Sequence, residues 1–223
     1  MATDDKVALE VAIRGSLESA LAKSRIDPGV VFVDKTVEFI LELTKWNKSY
    51  NLTAVRDPLQ MVPLHILDSM ALYPFVEVEM QNILDVGSGG GLPGIPLALA
   101  FPEKKFTLLD SNGKKTRFLN HVKMTLKLDN IEVVQTRVED YAGNFDLVTC
   151  RAFASLVDIA TSVSHLVKNK GHVFAMKSKD EQLDQSVGPI HFDSVHNLAV
   201  PGIDAPRHLV VLRKETRLTG YPE

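Results

Sequence analysis

The sequence predicts an α/β fold in which a mostly parallel sheet with one antiparallel strand follows an N-terminal helical extension. Three patterns indicate this: helical apolar spacing up to about residue 75, alternating short apolar runs and helical segments from residue 82, and two closely spaced strand-like runs near the C-terminus. A chain of 223 residues has room for one large domain with a modest extension. We therefore expect an extension over residues 1–75 and a main domain over residues 76–223.

Helical spacing dominates the first 75 residues. Apolar side chains recur first from Leu9 to Leu21 and then over a wider face from Phe32 to Tyr50. Asp27-Pro28 and Asp57-Pro58 both have the pattern of an N-cap followed by a proline in the first turn. The sequence thus predicts helices that begin just after residues 27 and 57.

Strand and helix patterns alternate from residue 82 onwards. We expect strands over 82–86, 105–110, 131–135, 145–150 and 171–176, with helices over 93–100, 112–127 and 155–167. Such alternation implies right-handed crossovers and a parallel sheet. The runs His191–Val200 and His208–Leu212 are too close for a crossover, so we expect an antiparallel pair at the end of the sheet. This arrangement is typical of the Rossmann-like class I fold of methyltransferases that use S-adenosyl-L-methionine (AdoMet).

Polar or charged residues follow five consecutive strands. The first strand runs into the glycine-rich turn Asp85–Gly94, and the second ends at Asp110. Glu139, Arg151 and Lys177 follow the next three. Because ligands of open parallel sheets bind beyond the carboxyl ends of the strands, these side chains are expected to line one pocket.

The glycine-rich turn favours AdoMet over a dinucleotide. Gly89, Gly91 and Gly94 also fit the dinucleotide fingerprint, but that match alone is weak. Asp85, directly before the turn, would repel a pyrophosphate and suits the cationic methionine end of AdoMet. The turn also contains no lysine or arginine to balance phosphates. A glycine turn with purely structural duties remains the alternative.

The next two strand ends suit an adenosine. Asp110 lies one strand–helix–strand unit after the glycine turn, where a carboxylate accepts hydrogen bonds from both ribose hydroxyls. Val138 and Glu139 would flank the adenine with an apolar contact and a polar group.

Composition and charge exclude several classes of protein. Hydrophobic residues make up 45% of the chain and charged residues 24%, which are globular proportions. The single cysteine, Cys150, excludes an internal disulfide framework and a cysteine-rich zinc site, and scattered histidines give no ligand spacing, so we expect no metal. A net charge of −3 argues against a generic nucleic-acid coat. Without a signal peptide or a membrane-length apolar run, we expect a cytoplasmic protein.

Basic residues group around the second and fifth strands. Lys114, Lys115, Arg117 and Lys177 are candidate contacts to RNA phosphates, and a solvated face is the alternative. Arg151 either pairs with Glu139 or Asp140 or contacts cofactor or RNA.

Several motifs agree in order and spacing with one family. They are Trp46–Ala54, His65–Ser69, Leu84–Pro96, Leu108–Ser111 and Arg151–Leu156, with Lys114-Lys115 and Arg117–Leu119 between the last two. Over roughly residues 40 to 180 the chain closely resembles the small-subunit ribosomal RNA guanine-N7 methyltransferases, the RsmG (GidB) family. The third position of the glycine turn, often proline in that family, is Gly90 here; this should loosen the turn without removing a contact.

The resemblance implies a cofactor, a substrate and a set of contacts. AdoMet would be the methyl donor, and the cofactor contacts carry over to Gly87, Leu92, Val138, Glu139 and Arg151, with Asp110 at the ribose. The substrate would be a guanine in the decoding-region loop of small-subunit (16S) rRNA, on an assembled ribosomal particle. His65 and Arg151 are candidates for the substrate side, and we expect a monomer.

Guanine N7 makes a general base unnecessary. Its in-plane lone pair carries no hydrogen and attacks the sulfonium methyl in line, so we expect no catalytic residue beyond those that position the reactants. The segment after the fourth strand lacks the Asn/Asp-Pro-Pro-aromatic motif of amine methyltransferases. Cys150 ends an apolar strand, and packing is favoured over a nucleophilic role.

Three other functions remain open at this point. A small-molecule methyltransferase would be expected to have an apolar or aromatic lid. A non-catalytic ribosome-binding protein would hold AdoMet as a structural ligand. A dinucleotide-dependent oxidoreductase would bind NAD in preference to AdoMet.

Overall fold

A mixed seven-stranded sheet forms the centre of the molecule in a computed structural model that describes residues 3–24, 26–151, 155–179, 181 and 185–215. The strands are β1 (Asn82–Val86), β2 (Lys105–Asp110), β3 (Ile131–Gln135), β4 (Phe145–Arg151), β5 (Val167–Lys177), β6 (Ile190–Asn197) and β7 (His208–Lys214). Their order is β3-β2-β1-β4-β5-β7-β6. Strands β1 to β5 pair in parallel, and β7 is antiparallel to both neighbours. The predicted mostly parallel sheet is confirmed.

The expected antiparallel pair, β6 with β7, lies at the end of the sheet, and β7 is the inner strand of the pair. β7 lies between β5 and β6, with Lys177 opposite His208 on one side and Asn197 opposite His208 on the other. The short connection allows β7 to return beside β6, and β7 then also pairs with β5. The amino end of β7 therefore reaches the same edge as the carboxyl end of β5.

Among the described residues, the connections between the parallel strands contain a 3-10 turn (Val138–Asp140) and three α-helices. The α-helices are α5 (Gly94–Ala100), α6 (Gly113–Thr125) and α7 (Leu156–Val163). The Asn112 side chain caps α6 by accepting from the Lys114 amide, and Ser155 and Asp158 form a capping box on α7. These caps place the helix starts close to the predicted positions. Residues 152–154 of the family-like segment after β4 lie outside the described residues.

The extension is helical, as predicted. It consists of α1 (Thr3–Ser24), α2 (Phe32–Tyr50), α3 (Pro58–Met61), a π-helical turn (Val62–Leu67), α4 (Asp68–Met70) and a 3-10 turn (Tyr73–Phe75). The Asp57 carboxylate caps α3 by accepting from the Leu59 amide at 2.9 Å, which confirms one predicted start. The other was wrong, because Asp27 accepts from the nearby Gly29 amide and α2 begins only at Phe32. Among the described helices, none has the combined length and hydropathy that crossing a bilayer requires.

The extension and one face of the sheet share a continuous apolar core. Ile13 and Phe39 from the extension belong to the same buried cluster as Ile83 of β1 and Leu147 of β4. The opposite face, with Leu84, forms a second cluster under α7. Because alternate residues of a strand point to opposite faces, β1, β2, β4, β5 and β7 contribute to both clusters. The helices are thus held against the sheet beside its carboxyl edge by burial of apolar surface.

Two glycines with similar φ angles allow two costs of an added side chain to be measured separately: the cost of a left-handed backbone and the cost of a steric clash. Gly91 (φ 84°) and Gly29 (φ 88°) both lie in the left-handed region. We expect Gly29→Ala to reduce the free energy of unfolding by about 1 kcal/mol, because its new Cβ meets nothing within 4 Å. A Cβ at Gly91 would overlap the Ile95 side chain and lie 3.2 Å from Leu119, so Gly91→Ala should cost about 1–3 kcal/mol more. Urea denaturation measures both, and equal losses would contradict this packing.

Candidate cofactor and RNA site

The glycine turn is bound to the end of β2 through its backbone. The amides of Gly87 and Ser88 donate to the Leu109 carbonyl at 2.8 and 3.1 Å. Gly87 and Gly89 have φ angles of 70° and 57°, which L residues with a side chain adopt at a cost. The turn therefore curls over the carboxyl ends of β1 and β2.

Asp85 holds the glycine turn through hydrogen bonds made in the protein interior. Its Oδ2 accepts from the Gly94 amide at 3.1 Å, and its Oδ1 accepts from Thr149 Oγ1 at 3.3 Å. Burial raises the pKa of this carboxyl from 3.8 to about 6, although these hydrogen bonds act in the opposite direction.

The expected contact between Asp85 and the methionine end of AdoMet stays a prediction, which the burial of this side chain does not favour. Asp85 is fully buried and lies on the same face of β1 as Ile83, under α5, whereas its neighbour Val86 points to the other side. The alternation of strand residues therefore directs the carboxylate into the protein. Its observed contacts hold the turn.

Asp110 connects the turn to the start of α6. Its Oδ2 accepts from the Gly89 amide at 2.9 Å, and its Oδ1 accepts from the Asn112 amide at 2.8 Å. Lys115 Nζ lies 3.5 Å from the same Oδ2. A carboxylate oxygen has two lone pairs, so this side chain retains acceptor capacity for a ligand.

A cavity of about 350 Å³ opens at the carboxyl edge beside the turn. Its lining consists of Val86, Gly87, Leu109, Asp110, Ser111, Lys115, Thr136, Arg137, Val138, Glu139 and Arg151. Below, this is called the cofactor cavity. Five of the sequence-predicted cofactor residues are among these: Gly87, Asp110, Val138, Glu139 and Arg151.

The other four predicted cofactor residues do not line this cavity. They are Asp85, Gly89, Gly91 and Leu92. Gly91 and Leu92 are buried against the core, and Gly89 acts through its amide to Asp110. These residues shape the turn. Gly90, the position that is often proline in the family, is buried against α2. A Cβ added at this position would lie 3.4 Å from the Leu43 side chain.

A second cavity, of about 290 Å³, adjoins the first through a single shared residue, Arg151. Its lining consists of Leu64, Asp68, Arg151, Met176, Lys177, Ser178 and Arg207. We call it the arginine cavity. It lies beyond the ends of β4 and β5, with the extension as one wall.

Arg151 pairs with neither of the acids considered from the sequence. Its Nη1 donates to Asp68 Oδ2 at 2.9 Å and to the Leu64 carbonyl at 3.2 Å. Both partners belong to the extension, and neither Glu139 nor Asp140 forms an ion pair with it. The ion pair that the sequence analysis considered for Arg151 therefore exists, but its partner is Asp68 and neither Glu139 nor Asp140.

Arg207 is a site residue that sequence reasoning missed. Its Nε donates to Asp68 Oδ1 at 3.0 Å across 139 positions of the chain. Nothing in the local sequence marks it, because it follows a proline-rich connection that indicates only a turn. Lys177, predicted as an RNA contact, lines the same cavity and forms an ion pair with Glu181 at 3.0 Å.

His65 lies near the arginine cavity without lining it. Its Nε2 is 2.8 Å from Thr53 Oγ1, and Nδ1 is buried with no partner among the described residues. Burial is the main reason that the imidazole pKa is lowered. His65 and Asp68 have different hydrogen-bond partners, Thr53 for the imidazole and two arginines for the carboxylate, although residues 62–67 bring them close in one π-helical turn. Its proposed substrate-side role therefore has no direct contact to the cavity.

The basic residues of α6 divide into two groups. Lys115 lines the cofactor cavity and pairs with Asp110. Lys114 and Arg117 are exposed on the helix surface, where Arg117 Nε donates to the Gly113 carbonyl. The sequence had grouped all three as RNA contacts, and the structure places Lys115 closer to the cofactor side.

Cys150 is packed inside the sheet. It lies opposite Ala175 in the β4–β5 pair and is 1% exposed. Burial, reinforced by the nearby Asp85 charge, raises the thiol pKa to about 12. A thiol with this pKa is protonated at neutral pH, which supports the packing role over the nucleophilic one.

Comparison with known proteins decides the family. The sequence model described as "GidB: rRNA small subunit methyltransferase G" matches residues 33–210. The chain belongs to this family. It is 52% identical over 180 residues to "Ribosomal RNA small subunit methyltransferase G" of Stutzerimonas stutzeri (strain A1501), covering 79% of this chain and 84% of the relative. The protein of the same name from Ectopseudomonas mendocina (strain ymp) is 53% identical over 176 residues, covering 77% and 82%.

Solved structures of low identity confirm the class I methyltransferase fold. A "SAM dependent methyltransferase from Aquifex aeolicus" is 14% identical, with a TM-score of 0.55 over 77% of this chain and 98% of that chain. A chain from the "complex between the Haloferax volcanii Trm112 methyltransferase activator and the putative methyltransferase" is also 14% identical. It has a TM-score of 0.57 over 78% of this chain and 98% of that chain. The chain thus combines membership of this family with the class I methyltransferase fold.

The buried Asp85 makes stability depend on pH. Because its folded pKa, about 6, exceeds its unfolded value near 4, the neutral carboxyl favours the folded state fully below pH 4. That contribution is lost as the pH rises through 6. We expect the free energy of unfolding of the wild type to fall by up to about 3 kcal/mol between pH 4 and 7, relative to Asp85→Asn. Urea denaturation of both proteins across this range tests it, and a difference independent of pH would contradict it.

Proposed function

We propose that this chain transfers the methyl group of AdoMet to N7 of a guanine in small-subunit (16S) rRNA. The observation that carries the proposal is the cofactor cavity at the carboxyl ends of β1, β2 and β4, in a member of the rRNA small subunit methyltransferase G family. AdoMet would supply an electrophilic sulfonium methyl. The chain's own residues then have to bind the donor and orient the base.

The lining residues fit AdoMet. Gly87 is exposed at the cavity and has no side chain, so a ligand can approach the backbone closely. Asp110 offers acceptor oxygens for ribose hydroxyls, and the buried side chain of Val138 offers an apolar wall for adenine beside the exposed Glu139. Arg151 stands where this cavity meets the arginine cavity.

Positioning accounts for the chemistry. Guanine N7 attacks with its own lone pair, so no residue has to remove a proton. In keeping with this, neither cavity is lined by a histidine or a cysteine among the described residues. The chain's contribution would be to hold N7 in line with the methyl group and to exclude water.

The arginine cavity favours a polyanionic substrate over a small metabolite. Arg151, Arg207 and Lys177 line it, and no aromatic residue does so within the described part of the chain. A small-molecule methyltransferase would be expected to close an apolar lid over its substrate. RNA phosphates match this lining better.

The extension over residues 1–75 would form the substrate-facing side. Through Leu64 and Asp68 it builds one wall of the arginine cavity, and it shares the core with the domain over residues 76–223. We propose that it helps to dock a monomer of this cytoplasmic protein on an assembled ribosomal particle. A surface of separate basic groups, with few aromatic residues, suits a folded RNA–protein substrate.

Mapping the modified nucleotide tests the function directly. We expect mass spectrometry of 16S rRNA to find one guanine in the decoding region that carries an N7 methyl group in cells with this protein and lacks it in cells without. The purified protein with AdoMet should restore the mark on small-subunit particles. Identical modification maps with and without the protein would contradict the proposal.

Gly87→Val should abolish cofactor binding in a folded protein. The new side chain would project at the cavity surface, where the ligand has to approach the backbone. Gly188→Val is the matched control, because Gly188 also has a positive φ, 59°, and nothing lies within 4 Å of an added Cβ. Calorimetric titration with AdoMet should show loss of binding for Gly87→Val alone. Wild-type affinity in that variant would refute this placement of the cofactor.

Lys114 and Arg117 should contribute to RNA binding through phosphates. Replacing both with glutamine should flatten the dependence of log affinity for small-subunit particles on log salt by about one per residue. The control is the double variant Lys105→Gln/Lys170→Gln, at exposed positions far from the carboxyl edge of the sheet. An unaltered slope in the Lys114/Arg117 variant would make them a solvated helix face. Because neither lines the cofactor cavity, AdoMet affinity should not change.

A further inference from the structure

Asp68 joins two arginines that come from distant parts of the chain. Its Oδ2 accepts from Arg151 at the end of β4, and its Oδ1 accepts from Arg207 just before β7. The carboxylate is 4% exposed, so its two oxygens are directed by these guanidinium groups and not by water. A nearly buried ion triad of this kind is a poor way to gain stability, because the desolvation cost offsets most of the attraction. This cost makes a purely structural role a weak explanation.

The triad does not use all the hydrogen-bond donors of the two arginines that line the arginine cavity. Each guanidinium has five N–H groups. Arg151 uses Nη1 for Asp68 and Leu64, and Arg207 uses Nε for Asp68 and Nη1 for the Pro206 carbonyl. The Nη2 groups of both arginines make none of these bonds. Among the described residues that line the cavity, Asp68 is the one carboxylate, and both its oxygens are engaged.

The positive charge of the arginine cavity indicates which part of the substrate it would bind. Two guanidinium groups with donors to spare match the geometry and charge of a phosphate. The same groups aimed at the guanine base would oppose the positive charge that develops on the ring as N7 is methylated. A phosphate beside the target nucleotide avoids this conflict and still lies next to the cofactor cavity, since Arg151 belongs to both.

We propose that Asp68 is a positioning residue that holds Arg151 and Arg207 as a clamp for an RNA phosphodiester next to the target guanine. The inference rests on the proposed function and adds to it the residue that sets the substrate's position. It assigns to the extension a part in building the site. Asp68 itself touches neither RNA nor cofactor.

A double-mutant cycle tests whether Asp68 acts through Arg207. The variants are Asp68→Asn, Arg207→Gln and the two combined, and the readout is equilibrium binding to unmethylated small-subunit particles, with kcat and KM measured in parallel. We expect each single variant to weaken particle binding about tenfold or more and to raise KM more than it lowers kcat. The double variant should bind particles no more than about twofold less tightly than the single variant with the lower affinity. Penalties that multiply would show independent roles and overturn the proposal.

Two further measurements separate a clamp from a general loss of structure. Arg207 lies outside the cofactor cavity, so Arg207→Gln should keep AdoMet affinity within about twofold of wild type. Asp146→Asn is the matched control, because Asp146 pairs with Lys168 at 2.7 Å at the opposite edge of the sheet. It should lower the melting temperature and leave particle binding unchanged. Particle binding that falls equally in this control would overturn the proposal.

Salt dependence identifies what the clamp holds. Arg207→Gln should reduce the slope of log affinity against log salt by about one, as expected for one lost phosphate contact. An unchanged slope with weaker binding would point to the base and overturn the phosphate assignment. If the wild type binds particles but transfers no methyl group, the proposed function fails, while the binding cycle still decides the clamp.

Discussion

The conformation of the glycine turn depends on two carboxylates that accept hydrogen bonds from its amides. Asp85 holds Gly94 from inside the protein, and Asp110 holds Gly89 from the next strand. An amide left without a partner at this depth would be costly, so the turn follows the positions of these carboxylates. The cofactor cavity takes its shape from this arrangement. Since β1, β2 and β4 are parallel, their ends bring the other lining residues to the same place.

A second constraint joins the extension to the sheet. Burial of apolar side chains fixes the helices on one face, and this brings Asp68 over the ends of β4 and β5. The arginine cavity exists only because these parts meet: one wall comes from near residue 65, another from residue 151 and a third from residue 207. The division of the chain at residue 75 therefore separates helices from sheet, and the proposed site spans both parts.

Residues that act through local position were predictable. Asp110 and Val138 follow strands whose patterns are clear, and parallel pairing alone brings their strand ends together. Asp85 follows the same rule, but the sequence does not say which face of β1 its side chain takes. In the structure it lies on the face of Ile83, away from the cavity. The starts of α2 and α3 show the same limit: identical Asp-Pro signals give a cap at Asp57 and a turn at Asp27.

The sequence by itself determined the alternation of strands and helices, the glycine turn and the family, since these depend on local propensity and on motifs read in order. The tertiary structure alone decided the partner of Arg151, the inclusion of Arg207 and the place of β7 inside the sheet. The physical reason is that an ion pair depends on which surfaces a folded core brings within hydrogen-bond distance. Asp68 and Arg207, 139 positions apart, meet because apolar burial and strand pairing position their backbones first.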